Sequence, residues 1–349
     1  MSWQEQISHS IRTVEQLREY FHISREEEEK FKKIIKDAPL QVPPYYLNLI
    51  NKLDKNDPIR NLILPSINET SEDGKWDTSG ENENTKLQGL QREYTQTALI
   101  IPTSTCAAYC RFCFRKRIVG RQSNEIAIDL SKAYDYLKKH KEVDNVLLTG
   151  GDPLTLSTKY IEKLITDLRQ VDSIKIIRFG TRVPVFLPQR ISEDKQLLKV
   201  IKENSYDNKK IYIINHFNHP IELTKEAIKA QNDLLESKAI LANQTVLLKG
   251  INDKPEIISE LFNKLSYIGV APYYLFQCRP VKHATHFAVP IKEGYEIYEN
   301  AKKQMSGLAK RAKYAMSHYK GKVEIVAAKD NKICNRLDFC SVFLSENPK

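Results

Sequence analysis

No stretch of this chain approaches the uninterrupted apolar run of about 18 or more residues that a membrane span requires. The opening residues, MSWQEQISHSIRTVEQL, also lack the apolar core of a secretory signal. The expectation is a cytoplasmic protein with no membrane partner. Cysteine is scarce, six in 349 residues, which excludes a disulfide scaffold. Glycine is scarce too: from 251 onward there are only Gly269, Gly294, Gly307 and Gly321. Acidic residues are outnumbered, 44 against 54 Lys and Arg, for a net charge of +10. That balance suits a phosphate or nucleic-acid partner or a solvated lysine-rich surface. The lysines are scattered with no basic-aromatic stripe, which favours the solvated surface over a nucleic-acid partner.

What is present falls into three stretches. Residues 1–90 read as a helical extension, with Ser24-Arg25-Glu26-Glu27 forming a capping box for a charged helix that ends before Pro43-Pro44. Within it, residues 67–88 (INETSEDGKWDTSGENENTKLQ) are polar and turn-forming and read as a mobile surface loop. Residues 91–306 alternate short β-branched runs with longer amphipathic ones, the pattern of βα units around a parallel sheet. Strands are predicted at 97–102, 145–149, 174–179, 211–215, 243–248 and 271–276, with helices near 129–141, 158–171, 192–204, 224–236, 255–268 and 292–306. Six units fall short of a closed eight-unit barrel, so an open, partial (β/α) barrel is expected. A further strand such as 322–327 belongs to the remaining segment, 307–349. Barrel chemistry gathers where the strands end. Here those places hold a cysteine loop, Gly150-Gly151-Asp152, Gly180-Thr181-Arg182, His216-Phe217-Asn218-His219 and Gln277-Cys278-Arg279-Pro280.

Three of the six cysteines crowd into eight positions as Cys106-x-x-x-Cys110-x-x-Cys113, followed by Phe114-Arg115-Lys116-Arg117. Three protein thiolates leave one iron of a [4Fe-4S] cube open to a non-protein ligand, whereas structural zinc usually takes four ligands. S-adenosylmethionine (SAM) could chelate that iron through its amine and carboxylate. One electron then yields a 5′-deoxyadenosyl radical able to abstract an unactivated hydrogen. Tyr109, Phe112 and Phe114 supply a dry shell. Gly150 and Gly151 suit close backbone approach to the methionyl ammonium, with Asp152 or nearby carbonyls as acceptors. A zinc site completed by His216 or Cys278 stays open, as do three merely buried cysteines.

With these residues in view, the chain resembles the lysine 2,3-aminomutase family of radical SAM enzymes. The resemblance rests on Tyr45-Tyr46-Leu47, Asn56-Asp57-Pro58, Cys106 to Arg117, Leu148 to Asp152, Ile177 to Pro184 with Leu187 to Ile191, His216 to Pro220, Asn243 to Asp253 and Pro272-Tyr273-Tyr274. It implies a cluster on the three cysteines, SAM contacts from Gly150, Gly151, Asp152, His216 and Gln244, and Arg115 on a substrate α-carboxylate. It also implies an isomerase that moves an amino group on an amino-acid-like substrate held through pyridoxal phosphate (PLP). A one-electron donor such as flavodoxin or ferredoxin would be required, and a homo-oligomer is compatible with it.

The chain departs from that pattern twice. The glycine-rich run bearing the family's PLP lysine is missing: Met305-Ser306-Gly307 leads almost directly to Tyr314-Ala315-Met316-Ser317. Lys310, Lys313, Lys320 and Lys322 remain nearby without that context, so the PLP lysine is unknown. Second, Arg279 stands where the lysine enzyme has an aspartate that can pair with the substrate's side-chain ammonium. A guanidinium that cannot lose its proton repels an ammonium and favours a carboxylate or phosphate, unless it makes a structural ion pair elsewhere. Two rival readings stay open: PLP-independent radical modification of a peptide or RNA, and a non-catalytic metal-binding module. Cys334 and Cys340 have no assigned role.

Overall fold

The computed structural model describes the backbone of residues 1–318, 321–329, 332–337 and 340–345, and the side chains of residues 1–318, 321–328, 333 and 334. One twelve-stranded sheet organises the chain, its strands neighbouring one another in sequence order. A short antiparallel hairpin, β1 (Thr85–Leu87) and β2 (Leu90–Tyr94), opens it. Then come β3 (Thr97–Thr103), β4 (Asn145–Gly150), β5 (Ile176–Thr181), β6 (Lys210–Asn215), β7 (Ile240–Leu247), β8 (Ala271–Gln277) and β9 (Lys313–His318), all parallel. Finally β10 (Gly321–Lys329), β11 (Lys332–Leu337) and β12 (Cys340–Ser345) run antiparallel.

All six predicted strands are present, and helices cross between them at Ser131–Lys139, Thr158–Arg169, Lys195–Glu203, Lys225–Glu236, Pro255–Tyr267 and Ile291–Lys302. The parallel array has a seventh member, β9. The segment 322–327 lies within β10, one place further out and antiparallel, because only residues 319 and 320 separate it from β9, too few for a crossover.

Side-chain alternation explains how the sheet builds both a core and a cavity. Val146, Leu148, Ile177, Phe179, Ile211, Ile213 and Leu275 point one way and are fully buried. The helices cover them with faces such as Ile161, Leu164, Ile165 and Leu168, spaced for one side of a helix. Residues of the other parity, among them Leu99, Leu147, Arg178, Gln244, Tyr274 and Ser317, all line one cavity of about 580 Å³. Strands from β3 to β9 can share one cavity only if the open sheet curls around it, as a partial barrel does. Among the described residues, no helix is long and apolar enough to cross a membrane.

Ser24 caps the helix Arg25–Asp37 as expected, its hydroxyl accepting from Glu27 N–H while the Glu27 carboxylate accepts from Ser24 N–H. The segment after this helix reaches the cysteine loop. The Gln41 side chain donates to the carbonyls of Cys106 (2.7 Å) and Ala107 (3.1 Å), and Arg111 N–H donates to Leu62 O at 2.9 Å. The stretch 67–88 is not simply a solvated loop. Glu69, in the short helix Ile67–Thr70, is fully buried, and Glu81 is nearly so. Each neutralises cations that follow the cluster-motif cysteines, and those cations are what pull the carboxylates inward.

Candidate active site

Cys106, Cys110 and Cys113 lie in the loop after β3, and all three line the cavity. Enclosure by protein pushes their thiol pKa values up: Cys106 by burial and then the nearby Asp152 carboxylate, Cys113 to about 11 by burial and then Cys110. Three thiols that resist becoming anions side by side are a donor set that a cationic iron–sulfur centre would relieve, with release of protons. Among the described residues, no group of three or more His, Cys, Asp or Glu side chains is arranged to hold a single metal ion. Thiolates binding different irons of one cube need not share a focus, as ligands of a single zinc ion must. Phe112, buried behind the loop, meets His216 edge-on at 5.5 Å.

The cations within and just after the motif are fixed by carboxylates, two of them from more than 30 positions earlier in the chain. Arg111 donates Nε and Nη2 to Glu69, the shortest bond 2.7 Å, and Lys116 Nζ reaches the same carboxylate at 3.2 Å. Arg115 Nη2 and Arg117 Nη2 both donate to Glu81, at 2.7 and 2.6 Å, and Arg117 also pairs with Glu125 at 2.7 Å. Glu81 is buried, which disfavours its charge, yet the two guanidiniums hold its carboxyl down to about 2. Arg115 therefore already has a carboxylate partner, and its Nη1 donates to Thr149 at 2.9 Å.

Gly150-Gly151-Asp152 forms the turn after β4, with a structural reason for each residue. Gly150 has φ +109°, and a Cβ there would lie 2.3 Å from Ile101 Cγ2; a Cβ on Gly151 would lie 2.5 Å from Thr105 O. The close approach is thus to the strand leading into Cys106, which the turn grips through Gly151 N–H to Thr103 O and Asp152 N–H to Thr105 O, both 2.8 Å. The Asp152 carboxylate accepts from the N–H groups of Leu154, Arg182 and Val183 and from the Thr181 hydroxyl. It ties the β4 turn to the β5 turn, which leaves mainly the backbone of this motif to face a ligand. Burial, outweighing those bonds, raises its pKa to about 6.

Arg182, which the sequence placed at the mouth but gave no task, sits at the centre of the site. Its Nη1 donates to Cys110 Sγ at 3.0 Å and its Nη2 to Glu222 at 2.5 Å, while its guanidinium lies over the Phe112 and Phe186 rings. Glu222 is fully buried and also accepts from Tyr46 Oη at 2.6 Å and from Asn218 N–H at 2.6 Å. Desolvation, then Arg182, drives the His216 pKa well below its ordinary value, so the ring is neutral, and its buried Nε2 has no hydrogen-bond partner among the described residues. Gln244 lines the same wall from β7.

Arg279 is part-buried in the opposite wall, stacked on Phe114 at 4.0 Å. It donates to the Ser79 hydroxyl and to Ser317 Oγ at 2.6 Å. Among the described residues no carboxylate lies within ion-pair distance of it, so the structural ion pair considered above is not made.

The Radical SAM superfamily profile matches residues 100–261. An Aquifex aeolicus protein provisionally named L-lysine 2,3-aminomutase is 42% identical over 312 residues, 89% of this chain and 83% of that protein. The L-lysine 2,3-aminomutase of Clostridium subterminale is 36% identical, with 87% of this chain and 73% of the relative covered. This chain belongs to the lysine 2,3-aminomutase family. The glutamate 2,3-aminomutase of Clostridioides difficile is 35% identical, with 87% of this chain and 71% of that protein covered. Membership makes the chain a radical SAM enzyme of the isomerase type, with a [4Fe-4S] cluster and SAM as cofactors.

Side-chain direction distinguishes the lysines that follow the last barrel helix. Lys310 is exposed, and Lys313 is exposed and paired with Glu324 at 3.0 Å. Lys322 lines the cavity, the only lysine to do so among the described residues. Lys320 and the Cys340 side chain lie outside the described residues. Cys334 is a free thiol on β11.

Proposed function

We propose that this aminomutase-family enzyme shifts the amino group of an amino acid that carries a second, distal anionic group. Arg279 supports the reading most directly: a guanidinium flanked by two hydroxyls, without a carboxylate partner among the described residues, in the same cavity as the cluster-motif cysteines. Such a cation recognises a carboxylate or phosphate and repels the side-chain ammonium of free lysine. The relative named glutamate 2,3-aminomutase has a substrate name of this class.

In this reading Cys106, Cys110 and Cys113 hold the cluster. The backbone of Gly150 and Gly151, His216 Nε2 and Gln244 position SAM, with Asp152 fixing the turn. Arg115 grips the α-carboxylate through the N–H groups that Glu81 and Thr149 leave open, and Arg279 grips the distal anion. When bound, the cluster with SAM supplies the 5′-deoxyadenosyl radical, and PLP stabilises the radical during migration. Phe112, Phe114 and Phe276 keep water from the wall where that radical forms. A carrier such as flavodoxin or ferredoxin delivers the electron.

The test is a reconstituted, anaerobic sample given dithionite, SAM and a panel of amino acids. 5′-Deoxyadenosine should form, and a substrate with a distal carboxylate should be converted to its β-amino isomer in preference to lysine. An intact cluster that cleaves no SAM, or preferential turnover of lysine, would overturn the proposal.

A further inference from the structure

We infer that Lys322 is the residue that captures the aldehyde of pyridoxal phosphate, in place of the missing glycine-rich lysine segment. The inference rests on the proposed amino-group migration, which needs such a cofactor, and it is argued from the cavity wall. Lys322 stands opposite Ser317 in the β9–β10 ladder. Its Nζ lies 4.7 Å from the ring centroid of Tyr274 and 5.7 Å from that of Phe276. Those two rings stack on each other with centroids 4.8 Å apart and planes 20° apart. The result is a stacked aromatic pair with a primary amine over its rings, an apolar planar surface and a nucleophile of the kind that a planar pyridine aldehyde requires.

The same cavity offers a cation for the phosphate. Arg178, on the inner face of β5, is near enough to Tyr273 and Tyr274 for their charges to interact, and its Nε donates to Asn145 Oδ1 at 2.8 Å. No carboxylate among the described residues pairs with it. Amine, aromatic surface and guanidinium thus border one space, while Arg279 stays free for the substrate. The step is balanced without an oxidant: the unprotonated Nζ adds to the aldehyde carbon, its protons pass to the oxygen, and water leaves as a C=N bond forms. Exchange with the substrate's amino group then regenerates the Lys322 amine.

The experiment needs neither SAM nor reductant, so its failure is distinct from a failure to cleave SAM. The full-length, reconstituted protein is titrated with PLP up to one equivalent, reduced with borohydride, digested and analysed by mass spectrometry. One pyridoxyl group per chain is expected on the Lys322 peptide. Both K322A and K322R should lose the label and the visible imine absorbance. K322R preserves the charge, and its iron content and melting temperature should match the wild type. R178M should weaken PLP binding about tenfold or more while leaving the label on Lys322. A label on another lysine, scattered labelling, no label on the wild type, or a K322R protein that still forms the imine would overturn the assignment.

Discussion

Replacing Glu69 by Gln keeps the shape of the side chain and removes one charge at a site with no exposure. Side-chain exposures are 0% for Glu69, 1% for Arg111 and 3% for Lys116. The substitution leaves two enclosed cations facing each other, with no other carboxylate within ion-pair distance among the described residues. Breaking a buried ion pair in this way costs about 3–5 kcal/mol. With an unfolding entropy of roughly 2.1 cal/mol/K per residue, a chain of 349 residues melting as one unit has about 0.7 kcal/mol/K. The expected drop in melting temperature is therefore about 4–7 °C. Arg111 lies between Cys110 and Cys113, so E69Q should also lower the iron retained after anaerobic reconstitution and desalting. Melting followed by circular dichroism, with iron assayed on the same samples, checks both effects. A melting temperature within about 1 °C of the wild type, with full iron, would refute the reasoning. A triple variant with Leu at 69, 111 and 116 should recover part of the loss, because it removes the stranded charges as well as the pair.

Replacing Arg182 by Gln removes a positive donor from Cys110 and should make the cluster harder to reduce. Each 1.4 kcal/mol of differential stabilisation lost corresponds to about 59 mV, and anaerobic titration followed by electron paramagnetic resonance reads the shift. R279M should raise KM for a distally anionic amino acid about 30-fold or more, from a loss of about 2 kcal/mol or more, and leave SAM cleavage without substrate unchanged. His286, with both ring nitrogens buried and unpartnered among the described residues, is held down to about 4 by burial. Its native pKa lies below the ordinary 6.5, so its stabilising contribution is complete above 6.5 and is lost as pH falls through 4. Denaturant titrations between those values should show a steeper loss for the wild type than for H286F; equal slopes would count against it.

The strands and helices were legible because each crossover repeats the same contrast between a short β-branched run and an amphipathic one, and the capping box at Ser24 announces its helix locally. The cysteine spacing was legible for a similar reason: its meaning is complete within eight residues. Glu69 and Glu81 were not. Carboxylates in a polar, turn-rich stretch look solvated, and the arginines that bury them lie 42 and 34 positions away. The seventh parallel strand was not placed because the apolar character of Lys313–His318 is modest, although at six residues it is as long as β4, β5 and β6. The Gly-Gly pair was located correctly, but its tightness answers to Ile101 and Thr105, a packing constraint that no single sequence displays. Lys310, Lys313 and Lys322 looked alike in sequence, and only the fold turned Lys322 inward.

The inner faces of β9 and β10 supply Ser317 and Lys322 from outside the span that the radical-enzyme profile matches. On the proposed roles, ignition is lodged in the profile-matched stretch, while the grip on the distal group comes from Arg279 and its neighbour Ser317 further along the chain. Exchange of the stretch from Arg279 to the terminal hairpin would then change which distal group is accepted while the cysteine loop is inherited intact.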